Sequence, residues 1–253
     1  MIGHGSAAFA TLLLFVVGWL IGVRLLLLAS RTRRLPELTI GLNILTIAGL
    51  SYPLAGLSTF LRESSPTLAA FCLVASATAS HVGVTSLCLF TWKVFRPGSR
   101  LARLVVIASA VAIAVGFAGN LYVAVISHAT QMADKRAWTL FLMAIATVAF
   151  GWSAAESLVY HDKLRRRLAL GMADPVVANR FLLWGIWMGS SAVGCVLNTF
   201  FALTSPLSVL DPVALLFAGS CGTIGAVVMP LTFMPPAWYV RSIQARHAAA
   251  MAR

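Results

Sequence analysis

The sequence predicts an all-α integral membrane protein, one domain over residues 1–253 folded as a bundle of seven transmembrane helices, N-terminus outside and C-terminus in the cytoplasm. Three observations carry this expectation. Hydrophobic residues make up 60% of the chain and charged residues 10%, and the mean hydropathy is +0.90, whereas roughly a quarter of ordinary soluble sequence is charged. Seven apolar stretches each reach the roughly 20 residues needed to cross a bilayer. Fifteen of the 19 Lys and Arg residues fall in alternate connections between those stretches, the bias that keeps basic loops in the cytoplasm.

The spans read as about 7–30, 37–60, 67–95, 103–127, 137–161, 179–204 and 212–240. Pro36, Pro66, Pro175 and Pro212 fall near helix starts, where a missing N–H costs little, and Ser65, Asp174 and Asp211 stand before three of them as caps. Arg96-Pro97-Gly98 ends the third span, and Pro235-Pro236 disturbs the end of the seventh. The N-terminus lacks a basic segment and its apolar run continues into Arg24, Arg31, Arg33 and Arg34, so the first span reads as a retained helix rather than a cleaved signal. Small residues four apart, at Gly18 and Gly22, at Ala75, Ala79 and Gly83, at Ala110, Ala114 and Ala118, and at Gly185 and Gly189, are packing seams where helix backbones approach closely. Pro53 and Pro230 fall inside the second and seventh spans and are expected to kink them.

The cytoplasmic connections are then Arg31 to Arg34, Lys93 to Arg103, Lys163 to Arg180, and a tail with Arg241, Arg246 and Arg253; Arg62, Lys135 and Arg136 fall in the other connections. The net charge of +12 is assigned to anionic lipid of the cytoplasmic leaflet rather than to nucleic acid, and the membrane expected is a bacterial inner (plasma) membrane. Only the third connection is long. Its segment from Tyr160 is rich in helix formers up to Gly171, a residue suited to the left-handed position after a helix end. The fifth helix is therefore expected to project by two or three turns. Lys163, Arg165, Arg166, Arg167 and Arg180 on that projection form a lipid-hugging collar or a docking surface for a protein partner.

Polar groups at membrane depth carry the functional expectations, because burying an unpaired ionisable group in hydrocarbon costs several kcal/mol. His81 falls near the midplane of the third span, and helical spacing groups it with Thr78 and Thr85 on a face expected to point into the bundle. Arg24 lies within the first span at a depth shared by Asn43 and comparable with Glu156; pairing with either, or snorkelling to the inner surface, would satisfy it. Tyr52, Asn120, Asn198 and Ser220 lie six to nine residues from their outer span ends. Equal depth on four helices fits a pocket opening outward, and fits ordinary interhelical hydrogen bonding as well.

The topology resembles that of rhodopsins and G-protein-coupled receptors in outline only. A covalent retinal needs a Schiff-base lysine in the seventh span, and Val213 to Tyr239 contains none. The inner end of the third span reads Thr91-Trp92-Lys93-Val94-Phe95 in place of Asp-Arg-Tyr, and the seventh carries Met229-Pro230-Leu231-Thr232-Phe233 in place of Asn-Pro-x-x-Tyr. His4, His128, His161 and His247 fall at or beyond span ends, so haem b would have to use His81 with Met143, Met188 or Met229, for which no motif speaks. Cys72, Cys88, Cys195 and Cys221 show no CxxC or Cys/His metal spacing, and no HExxH, GxSxG or Walker loop occurs. No cofactor, metal or catalytic residue is predicted. The function expected is a receptor or sensor that binds a small apolar or amphipathic ligand in the bundle and signals through a cytoplasmic partner. The alternatives are a small transporter or permease working through the outer polar residues, and a structural or accessory subunit of a membrane complex.

Overall fold

Proline punctuation and hydropathy set the helices. A computed structural model of the chain describes residues 2–125, 132–204 and 212–251. Among these, α1 is Ile2–Thr32, α2 is Leu35–Leu61 with a π-helical segment at Leu45–Ser51, and α3 is Pro66–Phe95. They are followed by α4, Arg100–Val125; α5, Met132–Leu168; α6, Pro175–Thr204; α7, Pro212–Phe233; and α8, Ala237–Met251. Pro36, Pro66 and Pro175 occupy first-turn positions as expected. Asp174 caps α6 through its Oδ1, which accepts from the Val176 N–H at 2.8 Å. Ser65 does not cap α3 with its side chain; its carbonyl oxygen accepts from the Ala69 N–H instead. The expected cap Asp211, the end of the fourth span at 126–127 and Arg253 lie outside the described residues.

Among the described residues six helices are long and apolar enough to cross a membrane, or seven if the bent pair α7 and α8 counts as one span. Here the expected seventh span, 212–240, is corrected. Its α-helix stops at Phe233, and the chain turns by 77° into α8, because Pro235 and Pro236 can neither donate N–H groups nor let the residue before them stay helical. Pro230, by contrast, is held inside α7.

The helices pack in chain order, α1 on α2, α2 on α3, α3 on α4, and so on to α7, which returns to α1 and closes a ring. α5 also touches α3, so α4 stands outside the line of closure. The buried core reflects this. Its main cluster draws on every span except α4, with Met188 and Met229 at its centre, and a smaller cluster around Val106 and Ile113 fastens α4 to α3 and α5.

Small residues set the close approaches. Gly18 and Gly22 of α1 receive the backbone of Ala48–Gly49 and Leu45, and a Cβ on Gly18 would stand 2.8 Å from that of Ala48. The stripe Ala110, Ala114 and Ala118 is not the seam used by α4: Ala114 and Ala118 are exposed, and Gly116 and Gly119 face Leu142 and Trp138 of α5 instead. At 37 residues, α5 runs about 55 Å at 1.5 Å per residue, well beyond the ~30 Å hydrocarbon layer. Its projection ends as expected, with Gly171 at φ +68° and the Met172 N–H returning to the Arg167 carbonyl.

Candidate functional site

The site begins with Pro53. In a regular helix its ring would collide with the carbonyl of Gly49, four residues earlier, and its nitrogen could not bond that oxygen. The turn before it widens into the π-helical segment Leu45–Ser51, a common accommodation of such a conflict. The freed Gly49 carbonyl accepts instead from the Trp19 indole N–H of α1 at 2.9 Å. On the other side, the Ser76 hydroxyl of α3 donates to the Ser51 carbonyl at 2.8 Å, and the two serine hydroxyls lie 3.2 Å apart. The distortion is thus held by side chains from both neighbouring helices.

The widened turn forms one wall of a cavity of about 210 Å³ inside the ring. α2 contributes Asn43, Ile44, Ile47, Ala48 and Tyr52, with Tyr52 49% exposed. α6 lines the opposite side with Trp187, Ser191, Gly194, Cys195 and Asn198. Leu14 of α1, Phe150 of α5, and Cys221 and Gly222 of α7 complete much of the rest. Among the described residues no charged side chain lines this space. Trp187, Ser191, Cys195 and Asn198 share one face of α6 at spacings of three and four; of these, sequence reasoning singled out Asn198 alone, although the spacing was readable.

Tyr52 and Asn198 therefore meet in one cavity, whereas the other two outer polar candidates do not. Asn120 is carried on the peripheral α4 and takes no part in the lining. Ser220 faces a shallow groove on the outside of α7, and its hydroxyl donates back to the Leu216 carbonyl. The face carrying His81 is likewise corrected. Thr78 is exposed and bonds back to the Val74 carbonyl, Thr85 is half-buried, and His81 stands edge-on to Phe117 of α4 with its Nδ1 buried and unpartnered. None of the three lines the cavity. Met188 and Met229 pack in the main core, and Met143 lies beside Thr199, its sulfur 3.9 Å from that hydroxyl. Among the described residues no group of three or more His, Cys, Asp or Glu converges on a point, and the four cysteines are free thiols.

The expected partners of Arg24 are also corrected. Asn43, 2% exposed, donates from Nδ2 to the Gly83 carbonyl at 2.9 Å, where the missing Cβ of Gly83 lets α2 and α3 meet. Glu156 accepts from the Arg96 Nε through both carboxylate oxygens, at 2.9 and 3.0 Å, and from the Trp152 indole at 3.3 Å. Arg24 is exposed on the outside of α1, where its long stem can carry the charge to the interface.

Below the cavity, toward the end of the bundle carrying the basic connections, a column of aromatic rings begins at Trp187. Trp187 meets Trp184 at 5.2 Å between centroids, Trp184 meets Phe90 at 5.7 Å, and Phe90 meets Phe95 at 5.9 Å. Phe95 touches Tyr160 and Phe181, each at 5.8 Å, and Phe233 at the end of α7 joins through Trp184. The Trp184 indole donates to the buried Ser153 hydroxyl at 3.1 Å. The column ends at Tyr160, beside the Arg96–Glu156 pair and three residues before the exposed Lys163. Arg165, Arg166, Arg167 and Arg180 are exposed there too.

No protein-family model matches the sequence, and no curated protein or solved structure matches it.

Proposed function

We propose that the protein is a seven-helix receptor or sensor of a bacterial inner membrane, N-terminus outside and C-terminus inside. A small ligand occupies the cavity between α2 and α6, and its presence is passed to a cytoplasmic partner at the projecting end of α5. The observation that carries this reading is the contiguity of the cavity and the aromatic column: Trp187 belongs to both, and the last ring, Tyr160, stands at the base of the basic projection. Aromatic edge-to-face contacts are directional, so a shift of Trp187 moves the rings below it rather than dissipating among flexible side chains. Lys163, Arg165, Arg166, Arg167 and Arg180 would then engage an acidic surface of the partner, and the remaining basic residues anionic lipid.

The same column argues against a transport path. Directly below the cavity Trp184, Met188 and Met229 are almost wholly buried, so a permease would have to part this packing to open inward. The test is a distance measurement between spin labels at Arg166 on α5 and Gln244 on α8, in nanodiscs, with and without a small neutral phenol such as 4-bromophenol. A ligand-dependent change in distance supports the receptor reading. An unchanged distance with the cavity occupied sinks it, and protein-dependent flux of the phenol in proteoliposomes would replace it with the permease reading.

A further inference from the structure

Resting on the reading of the cavity as a ligand site, we infer that its ligand is an uncharged molecule with an apolar body and one hydroxyl or carbonyl oxygen, held oxygen-outward on Tyr52 and Asn198. The first argument is charge. Among the described residues an ion in this space would meet no counter-charge in the lining, and an unpaired charge out of water costs several kcal/mol. Neutral ligands carry no such cost.

The second argument is the accounting of polar groups. The Asn43 amide N–H is given to the Gly83 carbonyl, the Ser191 hydroxyl to the Trp187 carbonyl, and the Cys221 thiol to the Ser190 carbonyl. Among the described residues the Tyr52 hydroxyl and the Asn198 amide make no hydrogen bond. Both side chains are accessible in the lining, Tyr52 49% exposed and Asn198 half-buried, so each has a donor free to give to an acceptor oxygen. They lie on facing walls and at like depth, nine residues from the end of α2 and six from the end of α6. Deeper in, Leu14, Ile44, Phe150 and Trp187 line the space beside Asn43 and Ser191, which give their hydrogen bonds to the Gly83 and Trp187 carbonyls. The lining is therefore largely apolar in its depth, with the uncommitted Tyr52 and Asn198 side chains nearer the ends of α2 and α6. Its volume, about 210 Å³, exceeds the ~150 Å³ of a dry cavity that accepts benzene, which admits a substituted ring.

Bromine quenches tryptophan fluorescence on contact, so three probes of one shape test the inference in nanodiscs: 4-bromophenol, bromobenzene and 4-bromobenzenesulfonate, compared at equal concentration within the bilayer. The signal is the saturable quenching that disappears in Trp187→Phe. The phenol is expected to saturate it at a concentration at least tenfold below bromobenzene, and the sulfonate to give none. Tyr52→Phe and Asn198→Leu are each expected to weaken the phenol roughly fivefold, the worth of one hydrogen bond, and to leave bromobenzene unchanged. Equal saturation by phenol and bromobenzene, or saturation by the sulfonate, overturns the ligand class while the cavity remains a ligand site. Absence of saturable Trp187 quenching by all three overturns the site and the class together.

Discussion

At the residue scale the buried polar contacts decide which side chains are structural. Asn43 and Gly83 act as a unit: the amide needs the Gly83 carbonyl, and a Cβ at residue 83 would press on Ile47 and stand 2.7 Å from the Thr46 hydroxyl. Gly83→Ala is expected to destabilise the protein by about 1–3 kcal/mol through overpacking. Asn43→Leu should cost about 1 kcal/mol through the lost hydrogen bond. Unfolding in mixed detergent micelles measures both, and a neutral Gly83→Ala would contradict the close approach. The Arg96–Glu156 pair should be worth much less, because the Arg96 side chain is 52% exposed although Glu156 is only 14% exposed. A double-mutant cycle is expected to give a coupling under about 1 kcal/mol that shrinks with salt, and the corresponding cycle for Arg24 with Glu156 to give none. The position of each of these residues along its helix was legible in the sequence, since it follows from counting from a span end. The azimuth was not. Whether Glu156 meets Arg24 or Arg96 depends on which helices are neighbours in the ring, and His81, midway along α3, faces α4 rather than the cavity for the same reason.

At the element scale, prolines marked where regular helix is stressed but not whether or how it gives way. Pro53 and Pro230 look alike in sequence, yet the chain before Pro53 widens into a π-helical segment while Pro230 stays within α7, and the sharp turn comes instead at Pro235-Pro236. The difference lies in what neighbouring helices offer. Trp19 and Ser76 supply donors to the carbonyls of Gly49 and Ser51, and Gly18 and Gly22 leave room for the broadened turn. The Trp19 bond has a sharp consequence. Trp19→Phe is expected to cost about 1 kcal/mol in the native background, and close to nothing in Pro53→Ala, where the new N–H can bond the Gly49 carbonyl within its own helix. The measurement is a double-mutant cycle, and strict additivity would show that the indole does not compensate for the proline. The C-terminal extension of α5 to Leu168 was legible, since its helix formers and the terminal Gly171 are local signals that need no tertiary context, whereas its start at Met132, before the expected 137, was not.

At the scale of the whole molecule, the closed ring divides the protein into a hollow half and a filled half. Above Trp187 the packing is interrupted by the cavity; below it Trp184, Phe90, Phe95, Tyr160 and Phe181 fill the interior with interlocked rings. Close-packed interiors transmit displacement because they have little free volume in which to relax. Contiguity alone does not establish coupling, however; that requires a second discrete arrangement which both ends favour or disfavour. Phe95 is the residue at which this can be tried. It joins α3 to α5 and α6 through its ring contacts with Tyr160 and Phe181, also touches Phe90 of its own helix, lies far from the cavity wall, and follows Trp92 and Lys93 at the end of α3. Phe95→Leu keeps an apolar side chain there but removes the edge-to-face geometry. The expected outcome is a saturation concentration for 4-bromophenol within twofold of the native protein, together with loss of the ligand-dependent distance change between Arg166 and Gln244. If the distance change survives intact, the aromatic column is packing and nothing more. If phenol binding falls along with it, the two halves are one cooperative unit, and the ligand is read by the whole bundle rather than along a line of rings.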